Sequence, residues 1–465
     1  MSQSNVFADR RLAQRSIQLA ERIKEKGSCI INQVARNWSE QMGFYRLLQN
    51  ERVSESCLIS HLRSSCQARM AGSKEVLILS DSSDFDYSWA RHRLEDSSGL
   101  GYIGNHKGLG YYLHASLAVD AQNGALLGKS DAKLWHRPQK NKQVSPSLYQ
   151  TDLEEKESYR WIDSCLKSKS LAQPTQSLTF IQDREGDIYA SFVLVPEPGR
   201  ELLVRSKHDR SILSPTGAKR KLFEYLQEQP CRGSYPLAVR AEPRQNRSAH
   251  TAVMELRYCS IEIQRTTKPS FRYQRSFPLS IPIRAIEVRQ RADTVPAGES
   301  PILWRLLTTH QITDWRDALR FVYWYTLRWI IEDFFRLLKK KGFQLEKAEL
   351  ESGYALRKLG LITMDSAIQV MQLRQARDGN AEIPLEEVFT EPEIDSLQAI
   401  TPTLEGNTEK LKNPHPPKSL AWASWTIARL GGWKGYRSQR PPGVITFRRG
   451  LERFKDIHRG IQLRL

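Results

Sequence analysis

The chain has 465 residues, with 70 Lys and Arg against 52 Asp and Glu, a formal net charge of +18. That length exceeds one ordinary core and implies roughly two to four domains, while the basic excess favours a polyanionic partner, nucleic acid before anionic membrane. No apolar run is long enough to span a bilayer, and the N-terminal MSQSNVFADRR lacks a signal peptide's apolar core. The six cysteines, Cys29, Cys57, Cys66, Cys165, Cys231 and Cys259, form no CxxC pair and have no histidine at zinc spacing; they read as reduced thiols of an intracellular, soluble protein.

Residues 1 to about 70 are predicted helical and net basic, with eleven Lys and Arg against six Asp and Glu. Arg11 and Arg15 share one helix face and a later helix carries Phe44-Tyr45-Arg46, an arrangement that suits DNA contact as well as a solvated surface. From residue 75 the pattern turns to strands. Glu75-Val-Leu-Ile-Leu79 and Tyr111 to Val119 are apolar runs, separated by Gly99, Gly101, Gly104, Gly108 and Gly110, which read as hairpin and turn glycines because no helix follows them. Leu178-Thr-Phe-Ile181 leads into Asp183, and Glu201-Leu-Leu-Val-Arg205 follows. Residues 209 to 300 form a strand-rich block with basic loops, including Ala252 to Leu256 and Ile281 to Ile283. Strand character resumes at Ile302 to Thr308. Residues 378 to 401 hold seven acidic and no basic residues, and Asn413-Pro-His-Pro-Pro-Lys418 reads as a linker. The last stretch, 418 to 465, returns to eleven Lys and Arg against two acids and opens with Trp422 and Trp425 on a predicted helix.

Two kinds of residue carry candidate chemistry. Asp81 and Asp183 each end an apolar strand, where a carboxylate is held rigidly enough to ligate a metal. Asp84, Asp86 and Asp187 lie close by in sequence, and spacing alone does not choose among them. On a single helix, Tyr325, Arg328, Glu332 and Lys339 fall within a wedge of roughly 60°. A carboxylate there could bind a metal while the phenol and two cations hold phosphate oxygens. The plainer alternative is a solvated stripe with Arg328–Glu332 and Glu332–Arg336 ion pairs. Two Asp and one Glu from separate elements suit a pair of Mg²⁺ ions, with Mn²⁺ as substitute, in an in-line phosphoryl displacement.

The Tyr-x2-Arg-x3-Glu-x6-Lys spacing at Tyr325, Arg328, Glu332 and Lys339 resembles the signature of the IS-four family of DDE transposases. Asp183-Arg-Glu-Gly-Asp187 resembles that family's second-aspartate motif. Leu79-Ser-Asp81-Ser-Ser83 resembles the first, with Ser-Ser in place of the usual Thr-Thr. Further likeness lies in Asp9-Arg-Arg, Phe44-Tyr-Arg46, Val204-Arg-Ser-Lys-His208 and Ser419-Leu-Ala-Trp422.

The resemblance implies an RNase-H-like α/β catalytic core over 71–373, with a β-rich insertion at about 209–300. It also implies an N-terminal helical end-binding domain over 1–70, a linker at 374–418 and a C-terminal helical dimerisation domain over 419–465. By the same resemblance Asp81, Asp183 and Glu332 are the catalytic metal ligands, and Tyr325, Arg328, Lys339, Arg205 and Lys207 hold DNA phosphates. The resemblance also implies that Trp304 stacks a flipped base, and the arginine-bearing N-terminal helices are expected to grip the transposon end through Arg11, Arg15, Tyr45 and Arg46. The implied protein is a cytoplasmic, nucleoid-associated bacterial enzyme, a homodimer on double-stranded DNA. Trp422, Trp425 and Trp433 are pairing contacts or domain core with equal weight.

Overall fold

The computed structural model describes residues 9–92, 99–104, 107–137, 152–242, 246–265, 276–339, 342–377, 379, 383–436 and 439–463. Parts of the expected end-binding domain (1–8), β-rich block (243–245, 266–275) and acidic run (378, 380–382) lie outside the described residues.

The chain opens with helices α1 (Arg10–Lys26), α2 (Ile31–Val34), α3 (Trp38–Gln49) and α4 (Glu55–Met70). Strands β1 (Glu75–Asp86), β2 (Gly101–Ile103), β3 (Gly108–Asp120) and β4 (Leu126–Trp135) follow, then α5 (Arg160–Lys169), β5 (Ser177–Gln182), α6 (Tyr189–Leu194) and β6 (Arg200–Arg205). The next block holds β7 (Ser211–Leu213), β8 (Lys219–Lys221), α7 (Leu222–Glu228), β9 (Gly233–Val239), β10 (His250–Gln264), β11 (Ser280–Gln290) and β12 (Leu303–Thr308). The chain then turns helical through α8 (Trp315–Thr326), α9 (Trp329–Leu338), α10 (Gly353–Ala376), α11 (Glu391–Leu404), α12 (Leu420–Leu430) and α13 (Val444–Gln462). The fold class is α/β, with a large mixed sheet.

Residues pack into two compact units, one of 74–81 and 142–329, the other of 1–73, 82–141 and 330–465. In the first, β1 up to Leu79 pairs parallel with β5, and β5 pairs parallel with β6. From β6 onward the pairing is antiparallel, through β12, β11 and β10 to β7, β8 and β9. The sequence explains the change. Val76–Leu79 and, apart from Thr179, Leu178–Ile181 are apolar, and both runs are fully buried, as parallel strands must be. By contrast, β10 alternates, burying Ala252, Met254 and Leu256 while the residues between them stay more open.

The second unit is built around α10, of whose 24 residues 19 are buried, so it is enclosed by other helices on nearly all sides. Those neighbours are α1, α3, α4, α12 and α13. Beside them β2, β3 and β4 form an antiparallel set. Gly110 allows β3 to lie close to β1: a Cβ there would sit 1.9 Å from the Phe85 carbonyl oxygen.

The stretch expected as linker contains α11, opened by a capping box between Thr390 and Glu393 and buried through Ile394, Leu397 and Ile400. That apolar spacing of three makes it a packed helix, which the acid-rich composition masked. Trp422 and Trp425 are 5% and 6% exposed, so both belong to this unit's own core.

Candidate active site

In the unit formed by 74–81 and 142–329, strand register brings the first two carboxylates together. Leu79 of β1 is level with Ile181 of β5. Asp183 keeps an extended backbone (φ −80°, ψ −175°), so carrying the register two residues on sets Asp81, midway along β1 where its parallel pairing with β5 ends, beside Asp183, just past the end of β5. Adjacent strands lie about 4.8 Å apart. Ends of parallel strands are also where open α/β sheets place their ligands. Gln182 is level with Val204, which puts Arg205 next in the row, and Arg205 is paired across to Leu306 of β12.

Alternation along β5 decides which way each side chain faces. Gln182 donates from Nε2 to the Trp161 carbonyl (2.8 Å) and to Cys165 Sγ (3.1 Å), and so faces α5. Thr179 and Asp183 take the opposite face, toward α8. There the Thr179 hydroxyl meets His310 Nε2 at 2.8 Å, and His310 stacks on Phe321 of α8 at 4.5 Å. At the far end of α8 the Tyr325 hydroxyl donates to Asp183 Oδ1 at 3.1 Å. Arg328 donates to Asp81 Oδ2 at 3.0 Å with its side chain 8% exposed. Trp304, half-buried on β12, meets the Tyr325 ring edge-on at 5.5 Å. Burial, followed by the Asp183 charge, pushes the Tyr325 phenol well up, while Arg328 and Arg205 pull it back. Tyr325 is therefore a proton donor across the working pH range.

The expected single helix through Tyr325 and Lys339 is two helices. Leu327 N–H bonds to the Trp324 carbonyl and Arg328 N–H to that of Tyr325, both at 3.1 Å. These three-residue steps tighten the chain between α8 and α9 and break the uniform 100° progression of the stripe. Arg328 bonds to Asp81, and Arg336 pairs with Asp333.

Glu332 and Lys339 belong to the other unit. Glu332 lies in the first turn of α9 and is partly exposed. Lys339, just past the end of α9, donates to Asp84 at 2.9 Å, lies 3.9 Å from Glu346 and sits over the Phe85 ring.

The aspartates that spacing left open acquire distinct places. Asp84 is the partner of Lys339. Asp86 accepts from Ser88 N–H (2.8 Å) and hydroxyl (2.5 Å) as a turn residue. Asp187 is buried beneath the loop that follows β6. Sequence reasoning also passed over His310 and Gln182, which lie in no motif; a polar residue within an apolar strand is the signal that could have marked Gln182.

Two carboxylates side by side, offering hard oxygen donors, are a set that Mg²⁺ accepts with water and phosphate completing its shell. Among the described residues no three His, Cys, Asp or Glu side chains gather as a metal centre. In this structure Arg328 donates to Asp81 and Tyr325 to Asp183.

In the N-terminal helices Arg11, Arg15 and Arg46 are exposed and Tyr45 is half-buried. The Arg15 guanidinium lies against Gly43, where a Cβ would be 1.8 Å from its nitrogen, so Arg15 of α1 reaches the surface of α3. Residues 2–53 match the family described as transposase DNA-binding. The match supports a transposase that binds DNA. It covers α1, α2 and α3. No helix among the described residues is long and apolar enough to cross a membrane.

Proposed function

We propose that the chain is a cut-and-paste DNA transposase of the DDE type, with an RNase-H-like core, in the IS-four family and similar over Tyr325–Lys339 to the Tn-five transposase. The observation that carries this reading is the row Asp81, Asp183 and Arg205 on adjacent parallel strands where their pairing ends, met by Tyr325 and Arg328 from the end of α8. The DNA-binding match at 2–53 supports it independently.

On this reading Asp81, Asp183 and Glu332 would hold two Mg²⁺ ions, or Mn²⁺ in their place, which would supply Lewis-acid stabilisation to phosphoryl transfer. Tyr325 and Arg328 exchange their carboxylate partners for phosphate oxygens of the bound end, and Lys339, Arg205 and Lys207 hold flanking phosphates by charge-assisted hydrogen bonds. Trp304 offers a ring face to one displaced base. Water nicks one strand. The freed 3′-OH attacks the opposite strand to leave a hairpin, a second water opens it, and the same 3′-OH attacks target DNA. Each is an in-line displacement at phosphorus with no covalent enzyme intermediate, so one constellation serves all four. Two copies pair the two ends, in a bacterial cytoplasm at the nucleoid.

The test is incubation with Mg²⁺ and DNA carrying the inverted repeats that flank the coding sequence. Nicks, hairpins and strand-transfer products are expected. Asp81→Ala, Asp183→Ala and Glu332→Ala should each abolish nicking and spare end binding, which rests on other contacts. Cleavage by Glu332→Ala at the parent rate would sink the assignment.

A further inference from the structure

The strongest unassigned feature near the strand ends is Asp187. Its side chain is fully enclosed, yet it carries an ordered set of partners. Oδ2 accepts the backbone N–H of Lys207 at 2.8 Å and of His208 at 3.3 Å, and Oδ1 accepts from Arg210. Arg210 also reaches the Asp187 carbonyl at 3.3 Å. The turn that brings Asp187 there is tight: Gly186 N–H bonds back to the Asp183 carbonyl at 2.8 Å, and a Cβ on Gly186 would lie 2.4 Å from Gln182 Oε1. On the other side of the loop, Ser206 N–H bonds to the Arg305 carbonyl of β12 at 2.8 Å. Lys207 and His208 themselves are exposed. A buried carboxylate holding two consecutive backbone N–H groups fixes where that loop runs.

We propose that Asp187 is a positioning residue that clamps the loop after β6, so that Lys207, beside Arg205, is presented to the DNA backbone next to Asp183. Asp187 thereby acts through Lys207 and ligates nothing itself. This rests on the transposase reading above. A phosphate contact held by a fixed loop loses less side-chain and backbone freedom on binding than one made from a loose loop. Loss of the clamp therefore removes the benefit of the lysine even though the lysine remains.

The experiment measures binding of the full chain to a duplex carrying the flanking inverted repeat, in EDTA, across a salt series. Lys207→Ala should lower the slope of log K against log salt by about 0.9, the value of one phosphate contact. Asp187→Asn should lower it by the same amount, and the double variant by no more than either single one, because the two act as a unit. In the parent chain, without DNA, the Lys207 and His208 amides should exchange with solvent far more slowly than their exposed loop would allow. Unprotected exchange at those amides overturns the clamp, and this readout needs no variant to fold. A slope lowered by Lys207→Ala but not by a folded Asp187→Asn overturns the proposal and leaves the transposase reading standing. Additive effects in the double variant overturn it equally. A chain that binds the duplex no better than a random one overturns both.

Discussion

A phenol that donates to a carboxylate from inside a protein keeps its proton and gives its hydrogen bond in one fixed direction. That is the position of Tyr325, whose hydroxyl is the Asp183 partner contributed by α8. Tyr325→Phe leaves the ring against Trp304 and removes the donor alone. A hydrogen bond to a charged group, here the phosphate taken up in place of Asp183, contributes about 1.5–3 kcal/mol, so single-turnover nicking should slow by roughly ten- to a hundredfold. An unchanged nicking rate would reduce the hydroxyl to a structural contact. Trp304 tests a later step. Trp304→Ala should nick ends at close to the parent rate and stall before the hairpin, and an abasic site at the displaced base should partly restore it. Equal loss of nicking and hairpinning, with the fold intact, would return Trp304 to a packing role. At this scale the sequence was legible where a polar residue ended an apolar run, as at Asp81 and Asp183. It was silent among Asp84, Asp86 and Asp187, because what separates them is a lysine 255 residues away, a serine two residues on, and a loop folded back from β6.

Strands and helices show the same division. The runs at Glu75, Leu178, Glu201 and Ile302 are strands as read, since apolar runs of that length bounded by turns have few other fates. The helix through Tyr325 was read as continuous because periodicity does not register a tightened turn without Gly or Pro, and the Thr326-Leu327-Arg328 step has neither. The tie between Thr179 of β5 and α8 was invisible for another reason: it runs through an imidazole. His310 is held against Thr179 and Phe321, and burial, then the nearby Arg320, pulls its pKa down to about 4, with Asp317 opposing. In the unfolded chain a histidine titrates near 6.5. Between these values the unfolded state binds the extra proton, so stability is complete above about pH 6.5 and declines as pH falls toward 4, by at most about 1.4 kcal/mol per pH unit. Denaturant midpoints at pH 7, 5.5 and 4.5 should show this decline, and His310→Leu should flatten it. A parent midpoint constant over that range would mean His310 protonates in place.

For the molecule as a whole, the helical unit is assembled from three separate stretches of chain, 1–73, 82–141 and 330–465. Trp422, Trp425, Phe447, Leu451 and Phe454 are buried in it, and α12 and α13 pack on α10, with α13 also against α1. Removing residues 419–465 therefore takes away core. Each such side chain contributes about 1.5–3 kcal/mol, which together rivals the whole stability of a domain. The truncated chain should lose its cooperative melt and become protease-sensitive in α1 and α10. A folded truncation that binds a single end would show instead that these helices serve only in pairing. The discontinuity has a further consequence, one of time. Ser366 on α10 bonds to the Ala20 carbonyl of α1 (3.1 Å), and Cys29 meets Thr363 at 3.3 Å. The apolar faces of α1 at Leu19 and Ile23 are fully covered in the finished chain. On a ribosome adding about 5–20 residues per second, the ~280 residues between α4 and α10 take roughly 15 to 55 s to appear. For that interval the DNA-binding segment has emerged without the helix that covers it, so each new copy begins as an uncovered grip. Nascent chains stalled at residue 330 should be cut within α1 under brief proteolysis, where released full-length chains resist.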